Sequence, residues 1–158
     1  MDDANLRQHL VGLLRSRGAH PDFAAAVGGL EPALHGRLAP GCPHTPWQLV
    51  EHLRIAQWDI LEFCRSPEHA SPPWPDGYWP ASASPPDQRA WERSVEAFRA
   101  DLEALCDLVR DPATDLLAPL PWGGGQTVLH QALLAADHNA YHLGQLVLLR
   151  RLLGAWPA

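Results

Sequence analysis

Two histidines near the end of the chain have a spacing that can build a metal site on one helix. His138 and His142 are four residues apart in the largely apolar segment 127–146, so a helix there projects both imidazoles from one face, one turn apart. Burying a polar side chain without a partner costs about 1–3 kcal/mol, so something is expected to satisfy these imidazoles. The other residues on this face of the helical wheel are Gln131, Leu134, Ala135, Gln145, Leu149, Leu152 and Leu153.

A third histidine is available far upstream. His52 lies at the edge of an apolar stripe of the segment 45–65. If this segment is a helix that packs against the helix of His138 and His142, three imidazoles converge. Three neutral imidazoles that leave one or two positions open are typical of a catalytic site for zinc, nickel or a similar ion. A hydrogen-bonded cluster of core histidines is the alternative, because an i, i+4 pair arises readily by chance among 9 histidines in 158 residues.

Four neighbouring residues bear on such a site. Gln145 lies one turn beyond the second histidine of the pair and could orient a ligand, and Tyr141 could donate a hydrogen bond to a substrate. Packing between helices is the alternative for both. Asp59 lies two turns from the upstream histidine and is either an acceptor for an imidazole N–H or a solvated surface carboxylate. His130, at the edge of the face, is not predicted to be a ligand.

The apolar periodicity predicts four long helices that position these residues. The first runs over 4–16 and ends at Gly18. The second begins with Thr45 as N-cap and Pro46 at the first helical position, and ends near residue 65. The third opens at 84–87, again with a cap and a proline, and its buried stripe is predicted to be Trp91, Val95, Phe98, Leu102, Leu105 and Val109. The fourth, capped by Thr127, is about 25 residues or about 38 Å long.

Two segments between these helices have informative patterns. Residues 22–38 are broken by Gly28, Gly29 and Pro32, so two short helices or one kinked helix are expected there. Residues 66–86 form a Pro-rich loop with several aromatic side chains. A connection this long in a compact domain is often functional, and the loop is either a surface strap or a partial lid over a binding cleft.

The last helix is also apolar on the side away from its histidines. A helix that is apolar all round is buried all round, so the segment 22–38 or a second subunit is expected to cover it. A homodimer through this helix is therefore a possible arrangement. The outer residues that suggest it are Leu129, Ala132, Ala136, Ala140, Leu143 and Val147.

Composition and charge exclude several classes of protein. A chain of 158 residues forms one domain, 1–158, that can bury about two-thirds of its unfolded surface. The net charge is −6 and the 12 basic residues are scattered, so a nucleic-acid surface is not expected. No apolar run of about 18 residues predicts a membrane span. Met1-Asp2-Asp3 is acidic, no signal-peptide core follows, and the 3 cysteines are an odd number; these features favour a cytoplasmic protein with reduced thiols.

Two motifs resemble those of a known family. A Trp-x-x-x-x-His segment, Trp47 to His52, opens the second long helix, and the last one contains His-x-x-Tyr-His-x-Gly-Gln from His138 to Gln145. The chain thus resembles the DinB-like superfamily, over about residues 45–154 and more loosely over the first helix. The resemblance implies an all-α four-helix bundle with up-down-down-up connectivity, for which the loop 66–86 is the long crossover. It also implies a divalent metal held by His52, His138 and His142, one from the second helix and two from the fourth.

The resemblance suggests a function but does not determine it. The superfamily includes transferases that act with the small thiols bacillithiol or mycothiol. The expectation is a divalent-metal-dependent enzyme, with zinc or nickel, in which a small-molecule thiol attacks an electrophilic small molecule. A metal-dependent hydrolase and a non-catalytic metal-binding or stress-related protein are the alternatives. No role for nucleic acid or membrane is predicted.

Overall fold

The computed structural model describes residues 3–157, and its regular elements are all helical. Within that range there are two 3₁₀ turns, 32–34 and 76–78, and no β-strand. The α-helices are α1 (Asp3–Leu14), α2 (Phe23–Val27), α3 (Pro46–Arg65), α4 (Ala90–Arg110) and α5 (Val128–Leu152). Met1, Asp2 and Ala158, including the first acidic residues weighed as a signal sequence, lie outside the described residues. The predicted all-α class is confirmed for the described part.

Helix α3 begins where its sequence dictates. The Thr45 hydroxyl oxygen accepts the backbone N–H of Gln48 at 3.2 Å, and the Gln48 side chain accepts the N–H of Thr45 at 3.0 Å. This reciprocal capping box satisfies two N–H groups that a helix N-terminus otherwise leaves unpaired. Pro46 occupies the first turn, where its missing N–H has no cost. The helix ends at Arg65, so both predicted ends are confirmed.

The N-terminal third differs from its prediction in one detail. Helix α1 ends at Leu14, two residues before the predicted end, and Ser16, with φ of 53°, takes the left-handed position that closes it in place of Gly18. The N–H of Ser16 bonds to the carbonyl of Leu13, and the N–H of Arg17 bonds to the carbonyl of Gly12, which closes the helix as a Schellman motif. The break of the segment 22–38 into two short helical pieces is confirmed.

Helix α4 begins later than predicted. The Ser84–Asp87 start is wrong, because the helix begins at Ala90. The Asp87 carboxylate accepts the N–H of Arg89, two residues further on, at 2.8 Å. This bond closes an Asx-turn and does not cap a helix. The predicted stripe of α4 is buried except at Leu102, which is half-buried.

Four helices form the packed core. Helix α3 packs against α4 and α5, and α1 packs against the same two helices. Short helix α2 lies against α5, where the fully buried Arg150 donates to the carbonyl of Ala26 at 2.7 Å. The packing of α3 on α5 places the upstream histidine beside the downstream pair. None of the helices within residues 3–157 is long and apolar enough to span a membrane.

The orientation of α5 corrects the helical-wheel prediction. Leu134 and Leu152, expected on the buried face, are 43% and 54% exposed, whereas Ala132 and Leu143, expected on the outer side, are buried. The helix has apolar residues all round, so its sequence alone does not fix which side faces the core. Its predicted cap at Thr127 and its length of 25 residues are confirmed.

Candidate metal site

Three imidazoles meet between α3 and α5. The Nε2 atom of His52 lies 3.1 Å from Nε2 of His142 and 3.0 Å from Nε2 of His138. Among the described residues these form the group in which one ring nitrogen from each side chain lies within 4.8 Å of the others. Two nitrogens bound to one zinc ion at about 2.0–2.1 Å lie at most about 4 Å apart. The separations therefore fit three ligands of a single ion.

In two of the three rings, the partner of Nδ1 determines which ring nitrogen carries the proton. Nδ1 of His52 lies 2.8 Å from the backbone oxygen of Tyr78, which can only accept, so this Nδ1 carries the proton and donates. Nδ1 of His142 lies 2.7 Å from the side-chain oxygen of Gln145, as the amide is placed, and donates to it. Both Nε2 atoms then present lone pairs that face each other across 3.1 Å. Such a contact is repulsive unless a cation lies between the two nitrogens.

A proton does not provide that cation at neutral pH. Burial, together with the neighbouring His142 and His44, lowers the pKa of His52 to about 4, against the raising effect of the Tyr78 carbonyl. Burial, with the same kind of repulsion from His142 and His52, also lowers the pKa of His138 to about 4. Burial likewise lowers the pKa of His142. Neutral imidazoles are the form that binds a metal ion.

His138 differs from the other two because its outer nitrogen has no partner. Its Nδ1 is buried and has no partner at hydrogen-bonding geometry within residues 3–157, although the neighbouring Asn139 side chain acts to raise the pKa of the ring. Without a metal, the ring can carry its proton on Nε2 and donate to Nε2 of His52 at 3.0 Å. That hydrogen bond uses the Nε2 lone pair of His52 and leaves the Nε2 lone pair of His142 without a donor, 3.1 Å from it. The group therefore fits a metal ion better than a closed hydrogen-bonded cluster of core histidines.

The loop between α3 and α4 covers His52. The Trp79 ring stacks on the imidazole of His52, with centroids 3.9 Å apart and planes 1° apart. His44 stacks on Trp79 at 4.0 Å, so the tryptophan lies between two imidazoles. Residues 78 and 79 thus fix this ring twice, by a carbonyl at its edge and by an indole on its face.

A buried carboxylate holds this part of the loop in place. Asp59 accepts the Tyr78 hydroxyl at 2.7 Å and the Nε2–H of His69 at 2.7 Å. Its side chain is only 12% exposed. Burial, followed by the bond to Asp59 and its charge, raises the pKa of Tyr78 to about 12, so the phenol stays protonated and donates. At the far end of the loop, the Thr45 hydroxyl donates to the carbonyl of Ala83 at 2.6 Å.

The family of the chain follows from a comparison with models of protein families. Residues 17–146, more than half of the chain, match the model of the DinB superfamily. The chain belongs to the DinB superfamily. No curated protein and no solved structure matches it.

The other candidate residues of this DinB chain have distinct positions. Tyr141 touches the His142 ring at 4.9 Å but is 63% exposed, so it does not pack within the chain's own core. Asp59 is not a surface carboxylate, and the imidazole that it accepts from belongs to His69, outside the three-histidine group. His130 is exposed on the first turn of α5 and lies outside that group.

Four contributors to the site of this DinB protein had not been singled out from the sequence. Tyr78 and Trp79 belong to the aromatic loop that was recognised as long but had two interpretations. His44 stands directly before the N-cap of α3, and His69 follows Asp59 by ten residues. Nothing local in the sequence joins these residues, because each contact is made between segments that are separate along the chain.

A small cavity lies beside Gln145, the residue that accepts from His142. It has a volume of about 200 Å³ and no charged side chain in its wall. Gln145 links it to the site, since its side-chain oxygen accepts from His142 and it also lines the cavity. The lining residues include Cys42, His44, Leu49, Gln145, Leu148 and Leu149.

Proposed function

We propose that this DinB protein is a divalent-metal-dependent enzyme that joins a low-molecular-weight thiol to an electrophilic small molecule. His52, His138 and His142 are the ligands in this proposal, and zinc or nickel is the ion. The observation that carries it is the pair of opposed Nε2 lone pairs 3.1 Å apart in a buried, neutral cluster. Family membership agrees with it.

The ligand set favours catalysis over a purely structural role. Structural zinc sites have four protein ligands, whereas catalytic sites typically have three and keep a position open. Three neutral imidazoles would leave the ion its full charge, which stabilises a thiolate or lowers the pKa of bound water towards about 7. Within the described residues, three histidines and no carboxylate or thiol make up the cluster.

The surrounding residues have defined tasks in this proposal. The Tyr78 carbonyl and the Gln145 amide hold the protons of His52 and His142 on Nδ1, so that both Nε2 atoms stay free to bind. Trp79 excludes water from the face of His52. Tyr141, exposed and beside His142, is free to donate a hydrogen bond to a substrate.

The uncharged cavity suggests what kind of electrophile would bind. Its wall is built from apolar side chains with one amide and one imidazole, and pockets of this kind select apolar ligands with a few fixed polar contacts. A small, uncharged electrophile with an apolar body fits this composition.

The proposal includes the connectivity of the helices and the compartment of the reaction. Helices α1, α3, α4 and α5 are taken as the four-helix bundle with up-down-down-up connectivity, with the loop 66–86 as its crossover. The reaction is expected to take place in the cytoplasm, where small thiols are reduced; all three cysteines are free thiols in agreement with this.

Elemental analysis of protein purified without a metal-affinity tag tests the proposal. About one equivalent of a divalent ion is expected in the native protein and none in His138→Ala, with the fold retained by circular dichroism. His130→Ala is the matched control, because it removes an exposed histidine from the same helix. No bound metal, and no uptake when zinc or nickel is supplied, would make the three histidines polar core residues.

A screen of the metal-loaded protein then separates the reaction classes. Thiol addition to a small electrophile is expected to depend on the metal and to disappear in His138→Ala. If the loaded protein instead hydrolyses an ester or amide without consuming thiol, the transferase proposal is wrong and the hydrolase alternative replaces it. If neither reaction occurs, a non-catalytic metal-binding role follows.

A further inference from the structure

One face of α5 exposes more apolar surface than a helix in water normally does. Of the 11 large hydrophobic side chains exposed in the described part of the chain, five lie on this single helix. Leu134 is 43% exposed, Tyr141 63% and Leu148 57%. They recur every seven residues and so lie in one line along the helix. A concentrated apolar patch of this kind marks an interaction site more often than scattered surface residues do.

Three further exposed residues alternate along the helix with these three side chains. The six positions are spaced three and four residues apart throughout, which is the spacing of a coiled-coil seam. We call this set the α5 strip: Leu134, Asp137, Tyr141, Gly144, Leu148 and Arg151. The strip spans about 26 Å of helix at 1.5 Å per residue.

The charges of the α5 strip are arranged symmetrically about its centre. Asp137 lies seven residues before Gly144, and Arg151 lies seven residues after it. If a second α5 runs antiparallel across Gly144, each Asp137 meets the Arg151 of the other copy at both ends of the contact. A parallel arrangement would place aspartate beside aspartate and arginine beside arginine, which is unfavourable. The strip is therefore complementary to an inverted copy of itself.

Gly144 suits the crossing point of two helices. It is exposed, and a Cβ atom added there would meet nothing within 4 Å in the chain's own structure. The absence of a side chain lets a second backbone approach closely, and the large side chains of Tyr141 and Leu148 stand on either side of the gap. A helix face that contacted only solvent would not need such a gap.

We propose that the α5 strip is the interface of an antiparallel homodimer, with a two-fold axis near Gly144. This inference uses none of the three histidines, but it shares Tyr141 and Leu148 with the proposed substrate side of the site. It has a consequence for the histidines, since Tyr141 touches His142 and Leu148 lines the cavity beside Gln145. The partner's α5 would form an outer wall of each candidate site.

Sedimentation velocity of the full chain tests the dimer. The native protein is expected to sediment as a dimer. Leu148→Glu is expected to raise the dimer dissociation constant at least about 100-fold, because each dimer would bury two unpaired carboxylates. Leu117→Glu is the matched control, since Leu117 is 66% exposed and lies in the preceding loop, outside the α5 strip, and it is expected to leave the dimer intact. A native protein that stays monomeric at every concentration overturns the proposal.

A charge exchange tests the antiparallel arrangement. Asp137→Arg and Arg151→Asp are each expected to weaken the dimer about tenfold, because two symmetry-related pairs become repulsive. The double variant restores the opposite charges and is expected to recover most of the loss. Single variants that dimerise as well as the native protein, or a double variant that is weaker than both, would contradict the arrangement.

Cross-linking locates the two-fold axis. In a Cys42→Ser background, Gly144→Cys is expected to give a cross-linked dimer with a bis-maleimide of about 10 Å, close to the separation of packed helices. Leu133→Cys is the control, because its thiols would lie about 33 Å apart in an antiparallel pair, counted as 22 residues of helix, but side by side in a parallel one. Cross-linking at position 133 and none at 144 would overturn the antiparallel interface.

Discussion

His35 and His52 have the same two kinds of partner. His35 stacks on Trp91 at 3.8 Å and donates from Nε2 to the carbonyl of Leu30 at 3.2 Å. His52 stacks on Trp79 at 3.9 Å and donates from Nδ1 to the carbonyl of Tyr78 at 2.8 Å. Both residues are at most 5% exposed. The difference lies at the second nitrogen, which faces two imidazoles in His52 and none in His35.

The pair shows that burial and a fixed tautomer do not by themselves make a metal site. A core histidine can satisfy one N–H and pack its ring against an indole, and His35 does so without any chemistry. The three-histidine group is distinguished by lone pairs that converge on one point. Convergence requires α3 and α5 to pack together, whereas the partners of His35 come from its own neighbourhood and from α4.

The largest expected difference between the two histidines is in metal binding. His52→Ala is expected to lower metal affinity more than about 100-fold, because loss of a ligand should exceed the 10–100-fold cost of losing an outer hydrogen-bond partner. His35→Ala is expected to leave the affinity unchanged while it lowers the free energy of unfolding by about 2 kcal/mol. Metal affinity is measured by competition with a chelator, and stability by urea unfolding.

Equal losses of metal in His52→Ala and His35→Ala would contradict the distinction between the two histidines. They would mean that the effect arises from general loosening of the fold. Unchanged metal content in both variants would mean that the ion, if one binds, uses other residues.

A smaller effect on metal affinity is expected when the hydrogen bond between Tyr78 and Asp59, which anchors the loop, is removed. Asp59→Asn and Tyr78→Phe each remove part of the contact that positions the Tyr78 carbonyl on His52. Metal affinity is expected to fall about tenfold, in the range found for residues that support ligands. With cobalt as the probe ion, the visible spectrum should change as His52 shifts, which mere loss of stability would not cause.

Glu68→Gln is a suitable control for the anchor, because Glu68 is exposed in the same loop. Anchor variants with native affinity and an unchanged cobalt spectrum would show that the carbonyl of Tyr78 stays in place without Asp59.

The smallest effect concerns the pH dependence of stability. Burial lowers the pKa of His35 below 6.5, against smaller raising effects of the Leu30 carbonyl and Glu92. The unfolded chain therefore binds more protons than the folded one as the pH falls below 6.5, and the free energy of unfolding decreases. In metal-free protein, His35→Phe should make this decrease shallower by at most one proton. Urea unfolding at several pH values measures the slope, and an unchanged slope would contradict the role of His35.

The parts of the structure that sequence predicted correctly depend on local interactions. The start of α3 is fixed by Thr45, Pro46 and Gln48, which interact within one turn. The i, i+4 spacing of His138 and His142 likewise fixes their common face once α5 is a helix. Such features require no knowledge of what packs against them.

The parts that sequence missed depend on distant contacts or on competing local ones. Helix α4 begins after Asp87 because its carboxylate closes a turn that competes with the predicted cap. Apolar residues surround α5, so its helical wheel does not fix which side faces the core, and Leu134 was wrongly expected on the buried face. Asp59 was left with two interpretations because Tyr78 and His69, its partners, come from a loop whose path the pattern did not define.

The hydrogen bonds that hold the long loop divide it into two parts that differ in how freely their sequence can change. His69 and Tyr78 are tied to Asp59, and Ala83 is tied to Thr45, so the part after residue 77 is bound to the site. Residues 70–76 project between two fixed points, and Trp74 is 77% exposed. Insertions and substitutions are best tolerated in such exposed segments. Evolution or protein engineering could therefore remodel residues 70–76 to recognise new molecules while the three imidazoles keep their positions.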